Sequence, residues 1–597
     1  MICINKNFKY CCSFKYCCRE VGSIELKLLV IANNVNKHYD YVIVGGGTAG
    51  CVVAARLSAQ PNTTVLLIEA GGHNTNSSLE VSGLYHYVAQ MYGHQNVQQM
   101  LWQYYDRGQE YAGGALPQGI PVPVGKGLGG SSSCNGMIYL RGNRRDYEHW
   151  AAACGATGWS YDQVLPYFIR AENLTDSNVK HYNLSFHGTA GPLPVSTPAE
   201  PMSPLFNVLN NVYKELGHNL VSDLNGEQQL GAGFAQMNTR AGMRVSTAQA
   251  YLRPNLHSNR LKILTNSLVT KIILKNLTNN LLNTNCGNNY QAIGVEYKTG
   301  DDVHRVFANR EVILSAGVIN SPQILMLSGI GSRDHLMSKG IDTLVNAPAV
   351  GKHLANHPIV YTFSLLKDPK LNGQPLPKLD MKDLNKFILN NEHVLRRSLC
   401  YHMLYTNTSQ NRDNLWPNIQ IKSFQSKYNI LDVFIMGTSL MRGRSRGSVR
   451  LATKNPTDAP IIDGQLLSNP MDRRDMFEAL KYTLFVALNT SLARYMTVIP
   501  MVLFGCRVCA DRPLYDCHSY IECVIRQTTI TYLHPMGSCR MGGVRSQCGP
   551  HDVVLNEKLE VRGVSRLRVC DASAFPDIVN ANTMPTTVML AEKCAEM

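Results

Sequence analysis

The chain has 597 residues, of which 44% are hydrophobic and 17% charged, a balance that excludes intrinsic disorder, collagen and a small disulfide-knotted scaffold. A large buried core is required at that length, either in several units or in two intertwined ones. The formal charge of +14 invites nucleic acid or a membrane surface, but the densest basic runs, Arg141–Arg145 and Arg442–Arg446, are short and broken by glycine. No nucleic-acid partner is expected.

Residues 1–37 read as an atypical leading segment, with five of the eighteen cysteines at Cys3, Cys11, Cys12, Cys17 and Cys18 in no defensible metal-site spacing. Leu28–Ala32 is too short for a signal-peptide core, and no run approaches the ~20 apolar residues of a membrane span. The compartment stays open. Chemistry begins at Tyr39–Val44, an apolar strand running into Gly45-Gly-Gly-Thr-Ala-Gly50 and then into the helical Cys51–Ser58. A second strand, Thr64–Ile68, ends at Glu69. Strand, glycine turn, helix, strand and acid in this order form a dinucleotide-binding βαβ fingerprint. Gly45 permits the turn, Gly47 lets the backbone approach a diphosphate at the helix N-terminus, and Gly50 allows close helix–strand packing. Glu69 is placed to accept hydrogen bonds from ribose hydroxyls, and its charge repels a 2′-phosphate.

Further along, Gly125–Gly142 is a second glycine-rich loop with serines at 131–133, read as another anion-binding nest from which Asn135 reaches flavin or substrate. Ser267–Lys271 reads as an apolar strand. Cys506-x-x-Cys509, followed by Cys517 and Cys523, lacks a second Cys-x-x-Cys pair, so no metal is assigned there.

These motifs continue with Arg310–Gly317 running into Asn320–Gly331, Phe186–Leu193, Arg244–Ala248 with Tyr251–Pro254, Ser445–Leu451 with Asn455-Pro456, His534-Pro-Met-Gly-Ser-Cys-Arg-Met-Gly542 and Leu567–Ser573. From about Tyr39 to Lys593 the chain resembles the glucose-methanol-choline (GMC) oxidoreductases, and among them insect FAD/quinone glucose dehydrogenase-like proteins. The resemblance implies an α/β fold in which an FAD-binding, Rossmann-like βαβ domain is interleaved with an α+β substrate domain, a mixed sheet backed by helices. The implied division is 38–340 for the FAD-binding region, with 200–260 contributing to the substrate domain, 341–530 for the substrate domain, and 531–597 returning to the FAD domain. It implies FAD as cofactor, a small-molecule alcohol as substrate, quinone or oxygen as acceptor, and secretion as one option. A catalytically impaired flavin-binding relative and an ecdysteroid or sterol oxidase are the alternatives.

Oxidising an alcohol requires a base for the hydroxyl proton and an acceptor for the hydride. By its place in the His-Pro-x-Gly motif, the resemblance assigns His534 as the base. The family's second hydrogen-bonding residue is expected eight positions before Glu592, where this chain has Met584, which cannot donate a strong hydrogen bond. Asn582 is the replacement. A second departure, Asn356 in place of an aspartate, is expected to change nothing catalytic. A third, Cys134, is expected to be either a small buried hydrophobe or a thioether link to the flavin ring methyl. The remaining cofactor contacts carried over are Thr48, Ala49, Ala70, Gly130, Asn135, Gly136, Met137, Ile138, Val269, Ala316, Asp571 and Ala572.

Overall fold

The apolar run that ends at Val44 becomes a central strand. In the computed structural model, which describes residues 35–73, 100–175, 182–197, 203–240, 242–277, 289–368, 371, 401–428, 431–502, 505–543 and 552–597, strand His38–Val44 lies parallel to Val65–Ile68 on one side and to Asp302–Leu314 on the other. Leu261–Leu264 extends the parallel set beyond Val65–Ile68. Tyr290–Thr299 and Ser267–Asn276 continue it antiparallel from Asp302–Leu314. Near the C-terminus, Val564–Ser565 and Leu567–Val569 pair in parallel with Tyr290–Thr299 and Asp302–Leu314. Strands far apart in sequence thus complete one eight-stranded sheet.

Val42, Ile43, Leu66 and Leu67 are fully buried, as parallel strands covered on both faces demand. Helix Thr48–Ala59 is buried almost all round because helix Thr583–Cys594 packs against it. Glu592, fully buried on the latter, holds Arg56 at 2.8 Å and Arg170 at 3.0 Å and accepts from the Tyr251 hydroxyl at 2.7 Å. The Cys570–Cys594 disulfide ties the same helix to the end of strand Leu567–Val569.

A second, seven-stranded antiparallel sheet runs in the order Met496–Ile499, Pro358–Leu366, Leu431–Leu440, Ile419–Tyr428, His402–Thr406, Gly231–Phe234, with Ile530–Thr531 also paired to Pro358–Leu366. Helices Pro470–Leu488 and His518–Thr528 pack on it. Cys506 bonds to Cys523 and Cys509 to Cys517, so the four cysteines considered as metal ligands are two disulfides. Cys3, Cys11, Cys12, Cys17 and Cys18 lie outside the described residues.

Candidate active site

A cavity of about 460 Å³, lined by residues of both sheets, has in its wall the glycine turn, the second glycine loop and the segment carrying His534. Gly45 turns the chain at φ +98°, and a Cβ there would stand 2.5 Å from the Ser315 carbonyl oxygen; one on Gly50 would stand 1.8 Å from that of Gly45. Both positions need glycine for the protein's own packing. Gly47 differs, because the nearest atom to a Cβ there is the Gly130 Cα at 3.8 Å. Its bare Cα leaves a cradle beside the start of helix Thr48–Ala59, where amide groups and the helix dipole favour a diphosphate. Gly45, Gly47, Thr48, Ala49 and Ala70 line the cavity; Gly50 stands behind them.

Glu69 also lines it, but its carboxylate is largely engaged. Oε2 accepts from the Gly46 amide at 2.7 Å, and Oε1 from Gly71 and Gly127 at 2.8 and 2.9 Å. Three of its roughly four acceptor positions are therefore used to join the two glycine loops, and about one remains for a ribose hydroxyl. Burial pushes its pKa up while the three amides and Lys126 pull it down.

In the second loop Ser132 and Ser133 donate to the loop's own carbonyls at Gly129 and Leu128, at 2.6 and 3.0 Å, and so brace the turn. Ser131 Oγ accepts from the Gly125 amide at 3.2 Å, which leaves its O–H to donate, and Ser131 lines the cavity. Buried Arg244 donates to the Asn135 side-chain and backbone oxygens at 2.7 and 2.6 Å, and the Met137 amide donates to the same side-chain oxygen at 2.9 Å. With Oδ1 taken on the protein side, Asn135 keeps its amide nitrogen for the cavity it lines together with Gly130, Gly136, Met137 and Ile138. Cys134 lines it as well, but burial pushes its thiol up to about 11. That direction works against the thiolate a thioether link would need.

Val269, Ala316, Asp571 and Ala572 complete that wall. Val269 stands at an irregularity in the pairing of Ser267–Asn276. Asp571 turns its carboxylate inward, accepting from the Gly317 amide, the Ser321 hydroxyl and the Ser573 amide at 2.9, 2.6 and 2.8 Å. It braces the start of helix Gly317–Leu327.

At the other end, pairing of Pro358 and Ile359 with Thr531 and Ile530, and of Ala355 with Met536, forces residues 356–357 to face 532–535. His534, 7% exposed, then meets three partners. Its amide donates to Asn356 Oδ1 at 3.0 Å, its Nδ1 lies 2.9 Å from His357 Nδ1, and its Nε2 lies 3.0 Å from Asn582 Nδ2. An amide nitrogen can only donate, so Nε2 carries the lone pair and Nδ1 the proton, which goes to His357. Burial pushes the His534 pKa well below its ordinary value, and His357 and Lys422 push it further. His357 is itself driven down to about 3 by burial; the Met441 and Val579 carbonyls partly offset this, though neither reaches Nε2 with hydrogen-bond geometry. Asn582 is the N-cap of helix Thr583–Cys594, and its Oδ1 is buried without a partner.

A neutral imidazole whose Nε2 lone pair meets an amide donor at the cavity wall, a diphosphate cradle and a connecting cavity suit flavin-linked alcohol chemistry. Residues 39–359 match the N-terminal profile described as GMC oxidoreductase, and residues 443–591 match the C-terminal one. The chain belongs to the GMC oxidoreductase family. It is 32% identical over 581 residues to "Glucose dehydrogenase [FAD, quinone]" of Drosophila melanogaster, covering 93% of this chain and 86% of that one. It is also 32% identical to "Oxygen-dependent choline dehydrogenase" of Vibrio vulnificus (strain YJ016), with 94% of each covered. Among solved structures, pyridoxine 4-oxidase from Mesorbium loti superposes with a TM-score of 0.76 at 26% identity, over 94% of this chain and 98% of that one.

In this GMC oxidoreductase, Met584 lines the cavity while Asn582, the replacement expected for it, meets His534. Asn356 accepts from the His534 amide, an acceptor that Asn or Asp supplies equally; the swap removes a charge beside His534. His357 escaped the sequence reading. The available signal was that His357-Pro358 and His534-Pro535 are the chain's only two His-Pro pairs. Lys422 was missed too, since one lysine in a β-strand gives no pattern. Its side chain lines the cavity and is 7% exposed. Four rings surround its Nζ, with centroids at 4.5 Å for Tyr532, 5.3 Å for Phe424, 5.4 Å for Tyr401 and 5.7 Å for Tyr361. Burial draws its pKa down to about 7.

Proposed function

We propose that this FAD-dependent GMC oxidoreductase oxidises a small alcohol, with His534 Nε2 taking the hydroxyl proton and Asn582 Nδ2 holding the same oxygen. The observation that carries this reading is the 3.0 Å contact of Asn582 Nδ2 with His534 Nε2. A donor and an acceptor converge there on one point of the cavity wall, and an alcohol oxygen that displaces their mutual hydrogen bond can give its proton to one while accepting from the other. Gly47 and the start of helix Thr48–Ala59 would hold the diphosphate, Glu69 a ribose hydroxyl, and Asn135–Ile138 the edge of the ring system. Bound FAD supplies the two-electron acceptor for the hydride leaving the carbinol carbon.

His357 accepts from His534 Nδ1–H and so holds the lone pair at Nε2. As the substrate proton arrives on Nε2, the cation formed is buried, so its proton must leave in a later step. Asn582 stabilises charge developing on the alkoxide by a donor already in place. Quinone and oxygen are both carried as final acceptors, because relatives at equal identity are named for one or the other.

Anaerobic mixing of the yellow holoprotein with a panel of primary and secondary alcohols tests the reaction, followed by reoxidation with a quinone or with air. At least one alcohol should bleach the flavin, and His534→Ala should slow bleaching by roughly 10²–10⁴-fold with FAD still bound. Failure of every alcohol would overturn the reading.

A further inference from the structure

The Lys422 amine is buried beside the reacting centre. Among the described residues no carboxylate and no hydrogen-bond acceptor meets Nζ, and burial alone accounts for its perturbed ionisation. The faces of Tyr361, Tyr401, Phe424 and Tyr532 stabilise its protonated form by cation–π contact. Keeping the proton on this buried amine at neutral pH and above calls for an anion, and the side chain lines the cavity into which substrate must come. Tyr532 connects this group to the base: its ring lies 4.3 Å from that of His534, and its hydroxyl is fixed on Gln420 Oε1 at 3.1 Å.

The same four rings would otherwise form a box for a quaternary ammonium group, the use for which such cages are suited. Here the chain's own lysine fills it. An entering cation would lose the ring faces and meet a like charge in a low-dielectric wall, where repulsion is far stronger than in water.

We propose that Lys422 sets the substrate charge of this enzyme: the pocket takes an alcohol bearing an anionic group, of the carboxylate class, and rejects quaternary-ammonium alcohols. The proposal rests on the alcohol-oxidising reading above for the identity of the cavity as the substrate site. It separates this chain from those of its relatives that are named for choline.

Calorimetric titration of the holoprotein with two probes of similar size and opposite charge, pivalate and tetramethylammonium, reads the selection without turnover. The wild-type protein should bind pivalate at least about tenfold more tightly than tetramethylammonium. Lys422→Met fills the space without charge and should lose pivalate binding by about tenfold or more; Lys422→Arg should keep it. Lys422→Ala empties the cage and should prefer tetramethylammonium. An unchanged flavin spectrum and unfolding midpoint identify the variants that are folded, and Lys422→Arg supplies the comparison if one of the others is not. Equal pivalate affinity in wild type and Lys422→Met, no binding of pivalate to wild type, or tetramethylammonium binding to wild type as tightly as to Lys422→Ala would each overturn the proposal. Failure of all alcohols to bleach the flavin would sink the reaction and leave these affinities as they are, so the two failures are told apart.

Discussion

His534 shows how much one proton's position decides. In the proposed reaction its Nε2 acts as a base because Nδ1–H has an acceptor, His357 Nδ1 at 2.9 Å, and His357 is then a positioning residue. Replacing it by phenylalanine keeps a buried ring but leaves Nδ1–H without a partner, so the other tautomer becomes competitive and kcat should fall by roughly 10–100-fold with KM little changed. The pH profile distinguishes this from simple loss of structure. Burial, His357 and Lys422 together hold the His534 pKa well below its ordinary value, so wild-type activity should stay on its plateau below pH ~6.5, the unperturbed histidine value. Removing His357 removes one of those depressing influences, and the acid limb should move to higher pH. A limb that stays in place with kcat unchanged would contradict the assignment. From sequence, His534 was legible through its motif, but its tautomer was not, because that depends on a partner 177 residues away.

Among elements, the βαβ unit was legible since each step is local: an apolar strand, a glycine turn and a helix within 22 residues of one another. The C-terminal helix Thr583–Cys594 was not, because what places it is remote. Glu592 meets Arg56 and Arg170, which are 536 and 422 residues away in the chain, and the hydroxyl of Tyr251. That cluster fixes the helix whose N-cap is Asn582, the residue that meets His534. Glu592→Gln keeps the shape and removes the charge, leaving Arg56 without a counter-ion and Arg170 with Glu596 alone. Both arginines are about a third exposed, so solvent screens part of the cost. The loss of stability should be roughly 1–3 kcal/mol, less than for a fully buried pair. Thermal unfolding with FAD at saturation measures it, and alcohol oxidation at a temperature where the variant stays folded should fall with it as the cap loosens. An unchanged unfolding midpoint would show that the cluster contributes nothing to holding the helix.

Across the whole molecule, the interleaving of two domains was implied by the family resemblance, while the strand pairings that bring His357 to His534 required the three-dimensional structure. The buried charge pattern also makes a statement that surface composition does not. His357 and His402 are pushed down to about 3 and His534 well below its ordinary value, all chiefly by burial. In the unfolded chain each would titrate near ~6.5, so below that pH the unfolded state binds protons the folded state does not. Stability is therefore greatest above the unfolded value and is lost as pH falls from about 6.5 toward the folded values, by about 1.4 kcal/mol per pH unit for each histidine fully protonated only when unfolded. Lys422, drawn down to about 7, has the same sign in another window, since the unfolded lysine stays protonated up to about 10.4. Its contribution makes stability rise as pH climbs from about 7 toward that value. His402 isolates one of these effects away from the base, because its ring lies among Phe206, Tyr213 and Phe234 and its polar contact is Nε2 to Asn210 Oδ1 at 2.7 Å. His402→Phe forfeits that hydrogen bond, worth about 1 kcal/mol, at every pH, but it deletes one proton from the unfolded-state count. Denaturant unfolding between pH 4 and 6 should then show a slope against pH shallower by about one proton than wild type, with the two stability curves converging in acid. Parallel curves would mean that His402 is protonated in the folded state, and its burial would have to be explained by a counter-charge the fold does not show among the described residues.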